Sequence, residues 1–332
     1  MMTALSPDTL VLTRDWMASR IPPMAYVDAV DETFRRLAGA DAQIPPVGHL
    51  VAPGAAIHIK SAAMEGVAAI KINANVPANP TERGLPTIQG LVALVSLRDG
   101  RVLALMDSME VTAQRTAATT AVAARYLARP QSQVLSVVGC GVQARYHLHA
   151  LAALFPLSML RCHDVDVQRS RALAAMGEQL GWAAQVCASP AEAARGGHIV
   201  ATCTPSQQAL LRDEDVAPGT FVAGVGADSP DKQELHPSLM ANATVVTDLT
   251  SQASAFGDLR HAIAAGAMKA GAVYGELADV VGGTLPGRMN DSDRFVFDST
   301  GVAIEDLAAA QMIYSYGLAD PAAMRVRLGG GT

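Results

Sequence analysis

A glycine-containing turn near the middle of the chain has the residue types and spacing of a dinucleotide-binding loop. The stretch VVGCGVQARYHLHA, residues 137–150, has small residues at Gly139, Gly141 and Ala144 in the pattern G-x-G-x-x-A. In such loops the first glycine permits a tight turn, the second lets the backbone approach the pyrophosphate, and the third position lets the helix pack closely. An apolar run precedes the turn and a helical pattern follows it, as a dinucleotide fingerprint requires. The residues expected to bind the cofactor here are Gly139, Gly141, Val142, Gln143 and Ala144.

An acidic residue follows this turn at the distance that a dinucleotide site requires. Asp164 ends the next apolar run, in RCHDVD, where a carboxylate would hold the ribose hydroxyls and repel a 2′-phosphate. The cofactor is therefore predicted to be NAD or NADP, with NAD favoured, while Arg169 and Arg171 leave NADP open. In ATCTPS, Thr202 and Thr204 end a further strand, and we expect them beside the nicotinamide or its ribose, or equally as ordinary loop hydroxyls. A glycine turn without a cofactor is the competing interpretation of the whole pattern.

Three charged residues in apolar or small-residue surroundings are candidates for chemistry on a substrate. Arg115 lies in TAQRTAA, and its planar guanidinium can bind a carboxylate through two parallel hydrogen bonds. Lys71 lies in AAIKINANV; an equally weighted alternative is that its stem covers apolar surface while the ammonium reaches water. Asp228, in VGADSP, follows an apolar strand at the end where α/β sheets place ligands. An ordinary turn or capping aspartate is the alternative there.

The elements that must position these residues differ between the two parts of the chain. Up to about Arg125 the pattern is mixed α/β, with strand-like runs AAIHIKSAAM, VAAIKINANV and LVALVSLRDGRVLALMD. The last run contains Asp99-Gly100 between apolar segments, which predicts a hairpin. From Gln133 onward, short apolar runs alternate with helical patterns, which predicts a parallel sheet with crossover helices. RFVFDSTG is predicted as the last strand of that sheet, and VAIEDLAAAQMIYSYGLA as a terminal helix.

Composition excludes several classes of function. The chain has 332 residues, a formal net charge of −6 and a pI near 5.7, which argues against a nucleic-acid partner. Its four cysteines form no C-x-x-C pair, so we expect reduced thiols in a cytoplasmic protein and no metal site. No apolar run approaches the about 18 residues of a membrane span. The first residues also lack the pattern of a signal peptide.

Four motifs occur in an order that points to a known family. They are KINANVPANPTERGLPTIQG, DSMEVTAQRTAATTAVAARYLA, GCGVQA and GADSPDKQELHP. Together, from about residue 20 to 316, the chain resembles the ornithine cyclodeaminase/mu-crystallin family. The resemblance implies an α/β fold in which a Rossmann NAD(P)-binding domain, residues 126–301, is inserted in a mixed α/β domain. That second domain, residues 1–125 plus 302–332, would bind the substrate and form a homodimer.

The resemblance also implies roles for individual residues. Lys71 and Arg115 match the family's ligands of the substrate carboxylate, and Asp228 matches the catalytic aspartate of cyclodeaminases. Asp228 and Lys71 are therefore the expected catalytic residues. One departure is visible, because Gly48 or His49 in PPVGHL stands where many members have a further carboxylate-binding arginine.

A nearby pair of basic residues offers a replacement for that arginine. His58 and Lys60 are two residues apart in AIHIKSA and so lie on one face of a strand. We hypothesise that His58 or Lys60 supplies the missing positive charge. Two solvent-facing strand residues are the equally weighted alternative.

Three functions remain compatible with this sequence. The favoured one is NAD(P)H-dependent interconversion of a small α-imino acid, such as the cyclic ketimine Δ1-pyrroline-2-carboxylate, and the L-amino acid. The second is cyclodeamination of ornithine or a related diamino acid, giving proline and ammonia in the case of ornithine. The third is a non-catalytic, mu-crystallin-like ligand-binding protein, against which the joint presence of Lys71, Arg115 and Asp228 argues.

Overall fold

Two large β-sheets organise the chain, one in each compact unit, and a third sheet of only two strands lies in unit 2. The computed structural model describes residues 8–37, 39 and 41–328. Unit 1 comprises Met1–Arg115 and Val302–Thr332, and unit 2 comprises Thr116–Gly301. The strands are β1 Thr9–Leu12, β2 Gly48–Ala52, β3 Ala55–Met64, β4 Val67–Asn75, β5 Ile88–Ser96, β6 Val102–Asp107, β7 Val134–Val138, β8 Met159–His163, β9 Ala183–Val186, β10 Ile199–Thr202, β11 Gln207–Leu211, β12 Phe221–Gly224, β13 Gln233–Leu235, β14 Thr244–Thr247, β15 Gly275–Glu276, β16 Phe295–Asp298 and β17 Met324–Val326.

Helices connect and cover these sheets. They are α1 Arg14–Arg20, α2 Pro23–Leu37, α3 Asn79–Glu82, α4 Ser108–Leu127, α5 Val142–Ala152, α6 Val167–Gln179, α7 Pro190–Ala194, α8 Pro237–Ala241, α9 Thr250–Phe256, α10 Asp258–Ala264, α11 Leu277–Val281 and α12 Ala303–Ala319. The division between the two units falls within α4, between Arg115 and Thr116. Within the described parts of the chain, no helix combines the length and apolar character needed to cross a bilayer.

The sheet of unit 1 is mixed and has two unlike faces. Its strand order is β17-β1-β6-β5-β4-β3-β2, and the predicted hairpin joins β5 to β6 around Gly100, which has a φ of +74°. Because side chains alternate between faces along a strand, Lys71 and Ile72 point to opposite sides of β4. Helix α12 packs against β3 and β4 on the side of Lys71. The opposite face carries apolar side chains that remain partly exposed, including Ile72 and Leu91.

The sheet of unit 2 is parallel throughout, as the alternating pattern predicts. Its strand order is β15-β14-β16-β12-β10-β7-β8-β9. Its central strands are apolar and buried, because crossover helices cover both faces of such a sheet. The chain runs outward from β7 through β8 to β9 and then returns to β10 on the other side of β7. The strand order therefore reverses between β7 and β10, where α/β sheets bind ligands.

Candidate functional site

The glycine turn of unit 2 lies at this reversal point and borders a cleft of about 310 Å³. Gly139 follows β7 with a φ of +91°, a backbone conformation that glycine adopts without strain. A Cβ at Gly139 would lie 2.6 Å from Cγ2 of Thr204 and 2.7 Å from the carbonyl oxygen of Cys203. Glycine is therefore required for the close approach of this turn to the segment after β10.

The start of helix α5 is uncapped and borders open space. Gly141 is its N-cap residue and provides no side-chain hydrogen bond to the first turn. A Cβ at Gly141 would meet no atom within 4 Å, which shows that this backbone borders open space. Val142 is exposed, Ala144 is buried, and Oε1 of Gln143 is buried without a hydrogen-bond partner among the described residues. The uncapped N–H groups of such a helix end suit a phosphate, so the residues present fit a dinucleotide.

Asp164 directly follows β8 and lines the same cleft. Its Oδ2 accepts a hydrogen bond of 2.7 Å from the backbone N–H of Cys140, inside the glycine turn. Its Oδ1 accepts one of 2.8 Å from the N–H of Asp166. The carboxylate is thus fixed beside the turn. Arg169 also lines the cleft and pairs with Asp166 at 3.4 Å.

Thr202 ends β10 and Thr204 follows it by two residues, and the two side chains have different surroundings. Thr204 lines the cleft, whereas Thr202 is fully buried. The hydroxyl of Thr202 donates to Oε2 of Glu234 at 2.7 Å, and that of Thr204 donates to Oε1 at 2.8 Å. Glu234 lies within the motif GADSPDKQELHP, but its residue type and spacing alone do not predict a role for it.

Asp228 lies beyond the end of β12 on an exposed turn. Its Oδ1 pairs with Nζ of Lys232 at 2.6 Å, and about half of its side chain is exposed. The backbone N–H of Asp228 donates to the carbonyl of Gly226 at 3.0 Å. The carboxylate is therefore accessible from solvent in unit 2, at the end of the sheet where ligands bind.

In unit 1, Lys71 and Arg115 meet at one carboxylate. Nζ of Lys71 lies 2.8 Å from Oδ1 of Asp306, and Nε of Arg115 donates to the same oxygen at 3.1 Å. Nη1 of Arg115 donates to Oε2 of Glu305 at 2.6 Å. All four side chains are buried. Lys71 and Arg115 were predicted from the sequence as site residues, whereas the acids of α12 that balance their charge are visible only in the structure.

This environment changes the protonation of Lys71 and Asp306. Burial lowers the pKa of Lys71 to about 7, against the opposing effect of Asp306, while Arg115 and Lys60 lower it further. Burial acts to raise the pKa of Asp306, yet Lys71 and Arg115 outweigh it and leave that pKa below its ordinary value. Lys71 therefore gains or loses a proton close to neutral pH, unlike an exposed lysine.

The proposed replacements for the missing arginine lie on the same face as Lys71. Lys60 is directly opposite Lys71 in the β3–β4 pairing, and His58 is opposite Asn73. On the other side, His58 is opposite His49 of β2, with ring centroids 4.9 Å apart. Because directly opposite residues share a face, basic side chains from three strands form a row that begins at Lys71.

The buried acids could have been found by one signal in the sequence. Glu305 and Asp306 interrupt the apolar run VAIEDLAAA, and buried charges are rare unless they are paired. The sequence contains no indication of which cations they meet.

Among the residues that the structure describes, no cluster of histidine, cysteine, aspartate or glutamate is arranged to hold a metal ion. The four cysteines are free thiols, three of them buried and Cys203 partly exposed.

Unit 2 has a parallel sheet with a glycine turn at its reversal point, and unit 1 has a mixed sheet with a buried cation pair. These features define a Rossmann-type α/β protein with an added mixed unit. The model of the ornithine cyclodeaminase/mu-crystallin family matches residues 8–319. The chain belongs to this family, which confirms the resemblance of the four motifs.

Relatives of known sequence and structure match nearly the whole chain. It is 34% identical over 320 residues to an alanine dehydrogenase of Archaeoglobus fulgidus, covering 96% of this chain and 98% of that one. The solved structure of an archaeal alanine dehydrogenase dimer with bound NAD superposes with a TM-score of 0.92, at 34% identity, over 97% of this chain and 100% of that one. A Δ1-pyrroline-2-carboxylate reductase of Thermococcus litoralis, in complex with NADH and L-proline, gives a TM-score of 0.91 at 26% identity, over 96% and 100%.

Proposed function

We propose that this chain is an NAD(P)H-dependent oxidoreductase that interconverts a small α-imino acid, such as a cyclic ketimine, and the L-amino acid. The observation that carries the proposal is the convergence of Lys71 and Arg115 on one buried carboxylate. Two buried cations that can both reach one carboxylate oxygen suit the binding of a substrate carboxylate, which orients the α-carbon. The names of the relatives, an alanine dehydrogenase and a Δ1-pyrroline-2-carboxylate reductase, support the same reaction class.

In this proposal each polar residue has a defined task. Lys71 and Arg115 bind the carboxylate, while Glu305 and Asp306 hold the two cations in place. With a pKa of about 7, Lys71 can also hold a proton near neutral pH. Asp228 exchanges a proton with the substrate nitrogen. When bound, the reduced nicotinamide supplies the hydride that the α-carbon of the imine accepts.

The same proposal assigns the cofactor and the row of basic residues. The glycine turn, Val142, Gln143 and Thr204 hold the dinucleotide, and Asp164 favours NAD over NADP by its negative charge. Lys60, opposite Lys71 on β3, supplies the positive charge that the family's absent arginine provides elsewhere, with His58 next to it on the same face. If Lys60→Ala left the substrate KM unchanged, this replacement would be wrong.

Ornithine cyclodeamination is the second candidate, because Asp228 stands where cyclodeaminases of the family carry their catalytic aspartate. In that reaction a bound nicotinamide would take up a hydride and return it, so that ornithine would lose ammonia and close to proline without net change in the cofactor. The two reactions differ in whether the cofactor is consumed. The altered stretch PPVGHL favours the redox reaction over this one.

One assay separates these functions. The protein is incubated with ornithine and a catalytic amount of NAD, and in parallel with Δ1-pyrroline-2-carboxylate and NADH or NADPH. Stoichiometric oxidation of the reduced cofactor supports the reductase, and ammonia release without lasting cofactor change supports the cyclodeaminase. The absence of activity in both assays, with NADH binding intact, favours the mu-crystallin-like binder.

Lys71→Met and Arg115→Met are expected to raise the substrate KM by at least about tenfold.

We further propose that unit 1 forms a homodimer through the open face of its sheet. Leu50, Ile57, Ile59, Ile72 and Leu91 share that face according to the strand pairing. Leu50, Ile72 and Leu91 are 60%, 38% and 39% exposed. An apolar patch across neighbouring strands favours association, and the archaeal alanine dehydrogenase relative is a dimer.

A further inference from the structure

Glu234 of unit 2 is a fully buried carboxylate that contacts both the wall of the cofactor cleft and the segment leading to Asp228. Its Oε1 accepts hydrogen bonds from the backbone N–H and the hydroxyl of Thr204, at 2.6 and 2.8 Å. Its Oε2 accepts from the hydroxyl of Thr202 at 2.7 Å and from the backbone N–H of Gly226 at 2.6 Å. One side chain therefore joins the end of β10 to the segment after β12.

The space around this carboxylate is filled on both sides. A Cβ at Gly226 would lie 2.7 Å from Cδ of Glu234 and 2.1 Å from the carbonyl oxygen of Thr204. On the cleft side, Thr204 is in close contact with Gly139. Because protein interiors are close-packed, a displacement of Glu234 moves Thr204 against the glycine turn and moves the residues just before Asp228.

Further buried carboxylates fix the backbone of Glu234 itself. Oδ1 of Asp258 accepts from the N–H groups of Glu234 and Leu235, at 2.8 and 2.9 Å. Asp298 in turn accepts from the N–H groups of Asp258 and Leu259, at 3.2 and 2.8 Å. Burial raises the pKa of Glu234, and the hydrogen bonds from Thr202, Thr204 and Gly226 oppose that change. The three carboxylates thus form a series: Asp298 accepts from the backbone of Asp258, and Asp258 accepts from the backbone of Glu234.

We propose that Glu234 is a positioning residue that sets the Thr204 wall of the cofactor cleft and the Asp228 segment together. It is not among the described residues that line the cleft, so it acts through Thr204 and Gly226. Cofactor affinity and turnover therefore both depend on its carboxylate. This inference rests on the proposed function, because it assumes that the cleft binds a dinucleotide.

The substitution Glu234→Gln tests this role with almost no change in shape. Each carboxylate oxygen accepts from one backbone N–H, at Thr204 or at Gly226, and these donors cannot reverse. A glutamine has a single amide oxygen, so its NH2 group faces one of the two N–H donors in either orientation. Leaving buried polar groups unpaired is costly. We expect the Kd for NADH, measured by calorimetry, to rise at least about tenfold and kcat at saturating NADH to fall.

Two further variants separate positioning from general destabilisation. Thr202→Val removes one buried donor to Glu234 without altering the cleft lining, and we expect a smaller increase in the Kd for NADH, about threefold. Asp215→Asn changes a buried carboxylate of the same unit, which accepts from the N–H of Arg212 at 3.0 Å. Asp215 is not among the described lining residues, so this control should lower the melting temperature and leave the Kd unchanged.

The outcomes also distinguish this inference from the proposed function. If Glu234→Gln binds NADH as tightly as the parent chain, or if Asp215→Asn weakens binding equally, the positioning role is wrong while the proposed function stands. If the parent chain binds neither NADH nor NADPH, the proposed function fails and the inference fails with it. Should Glu234→Gln not fold, an unchanged Kd in Thr202→Val overturns the role.

Discussion

At the scale of single residues, the notable feature is that two buried cations share one carboxylate. Lys71 and Arg115 both contact Asp306, and Arg115 also contacts Glu305. Removing one partner of such a cluster leaves an uncompensated charge in the interior. Burial is the largest influence on the pKa of Lys71, and Asp306 is the main group that opposes it. Burial and Asp306, acting in opposite directions, are therefore the main influences on the pH range in which Lys71 is charged.

Asp306→Asn is expected to shift the pH dependence of kcat/KM to lower pH. In the proposed function, protonated Lys71 binds the substrate carboxylate, so activity is expected to fall as pH rises through its pKa, which is about 7 in the parent chain. Without the negative charge of Asp306 that pKa falls further, and the alkaline limb moves with it. The profile of kcat/KM reports groups of the free enzyme, which makes it the appropriate measurement.

Glu305→Gln is the matched control for this experiment. Glu305 contacts Arg115 at 2.6 Å, and it is not among the groups that shift the pKa of Lys71. We expect a higher substrate KM and an unmoved alkaline limb. An unmoved limb in Asp306→Asn as well would remove Lys71 as the group responsible.

Asp164→Asn should reduce the preference for NADH over NADPH. The amide keeps one acceptor for the N–H of Cys140 and loses the charge that repels a 2′-phosphate. We expect the ratio of kcat/KM values for the two cofactors to fall roughly tenfold. Asp166→Asn is the control, because Asp166 caps α6 through the N–H of Gln168 and is not among the described residues lining the cleft.

At the scale of elements, two glycines have different roles in the βα motif that consists of strand β7, its glycine turn and helix α5. Gly139 has a φ of +91° and its Cβ position is blocked by Thr204 and Cys203. Gly141 has an extended backbone with a φ of −78°, and its Cβ position is open. The first glycine is therefore required by the fold, and the second is available to serve the ligand.

The pair Gly139→Ala and Gly141→Ala should separate stability from binding. Gly139→Ala is expected to lower the free energy of unfolding by about 1–3 kcal/mol, because its backbone and its contacts are both incompatible with a methyl group. Gly141→Ala should keep almost the melting temperature of the parent chain, yet lose at least about tenfold in NADH affinity, since its methyl group would project into the space that we propose for the pyrophosphate. Calorimetric binding and thermal unfolding, measured side by side, would contradict this assignment if the two variants behaved alike.

The elements were largely predictable from the sequence, and the partners of the charged residues were not. Apolar periodicity predicts the β5–β6 hairpin and the parallel sheet of unit 2, because both depend on local patterns. Lys71 meets Asp306 across 235 residues of chain, and no local pattern encodes such a contact. Glu234 was missed largely for the same reason, since three of its four donors, on Thr202 and Thr204, are about 30 residues away and only the N–H of Gly226 is near in sequence.

At the scale of the whole molecule, the mixed sheet of unit 1 has one face that remains apolar and partly exposed. If this face forms the homodimer, Ile72→Lys should produce monomers, because a charge would be buried at each copy of the interface. The molar mass in solution, measured by light scattering after size exclusion, gives the result. Val186→Lys places the same charge at a partly exposed apolar position of unit 2 and should leave the mass unchanged. A dimer in both variants would place the interface elsewhere.

The division of unit 1 into two stretches of chain has a consequence for biosynthesis. Unit 2 is one uninterrupted segment, Thr116–Gly301, so it is complete in a nascent polypeptide before the residues of α12 are made. Arg115 and Lys71 precede Glu305 and Asp306 by 190 and 235 residues. At translation rates of about 5–20 residues per second, about 10–50 seconds therefore pass between the synthesis of the two cations and that of the acids that pair with them. Unit 2 is therefore complete before unit 1, and unit 1 cannot close its ion cluster until α12 has been synthesised.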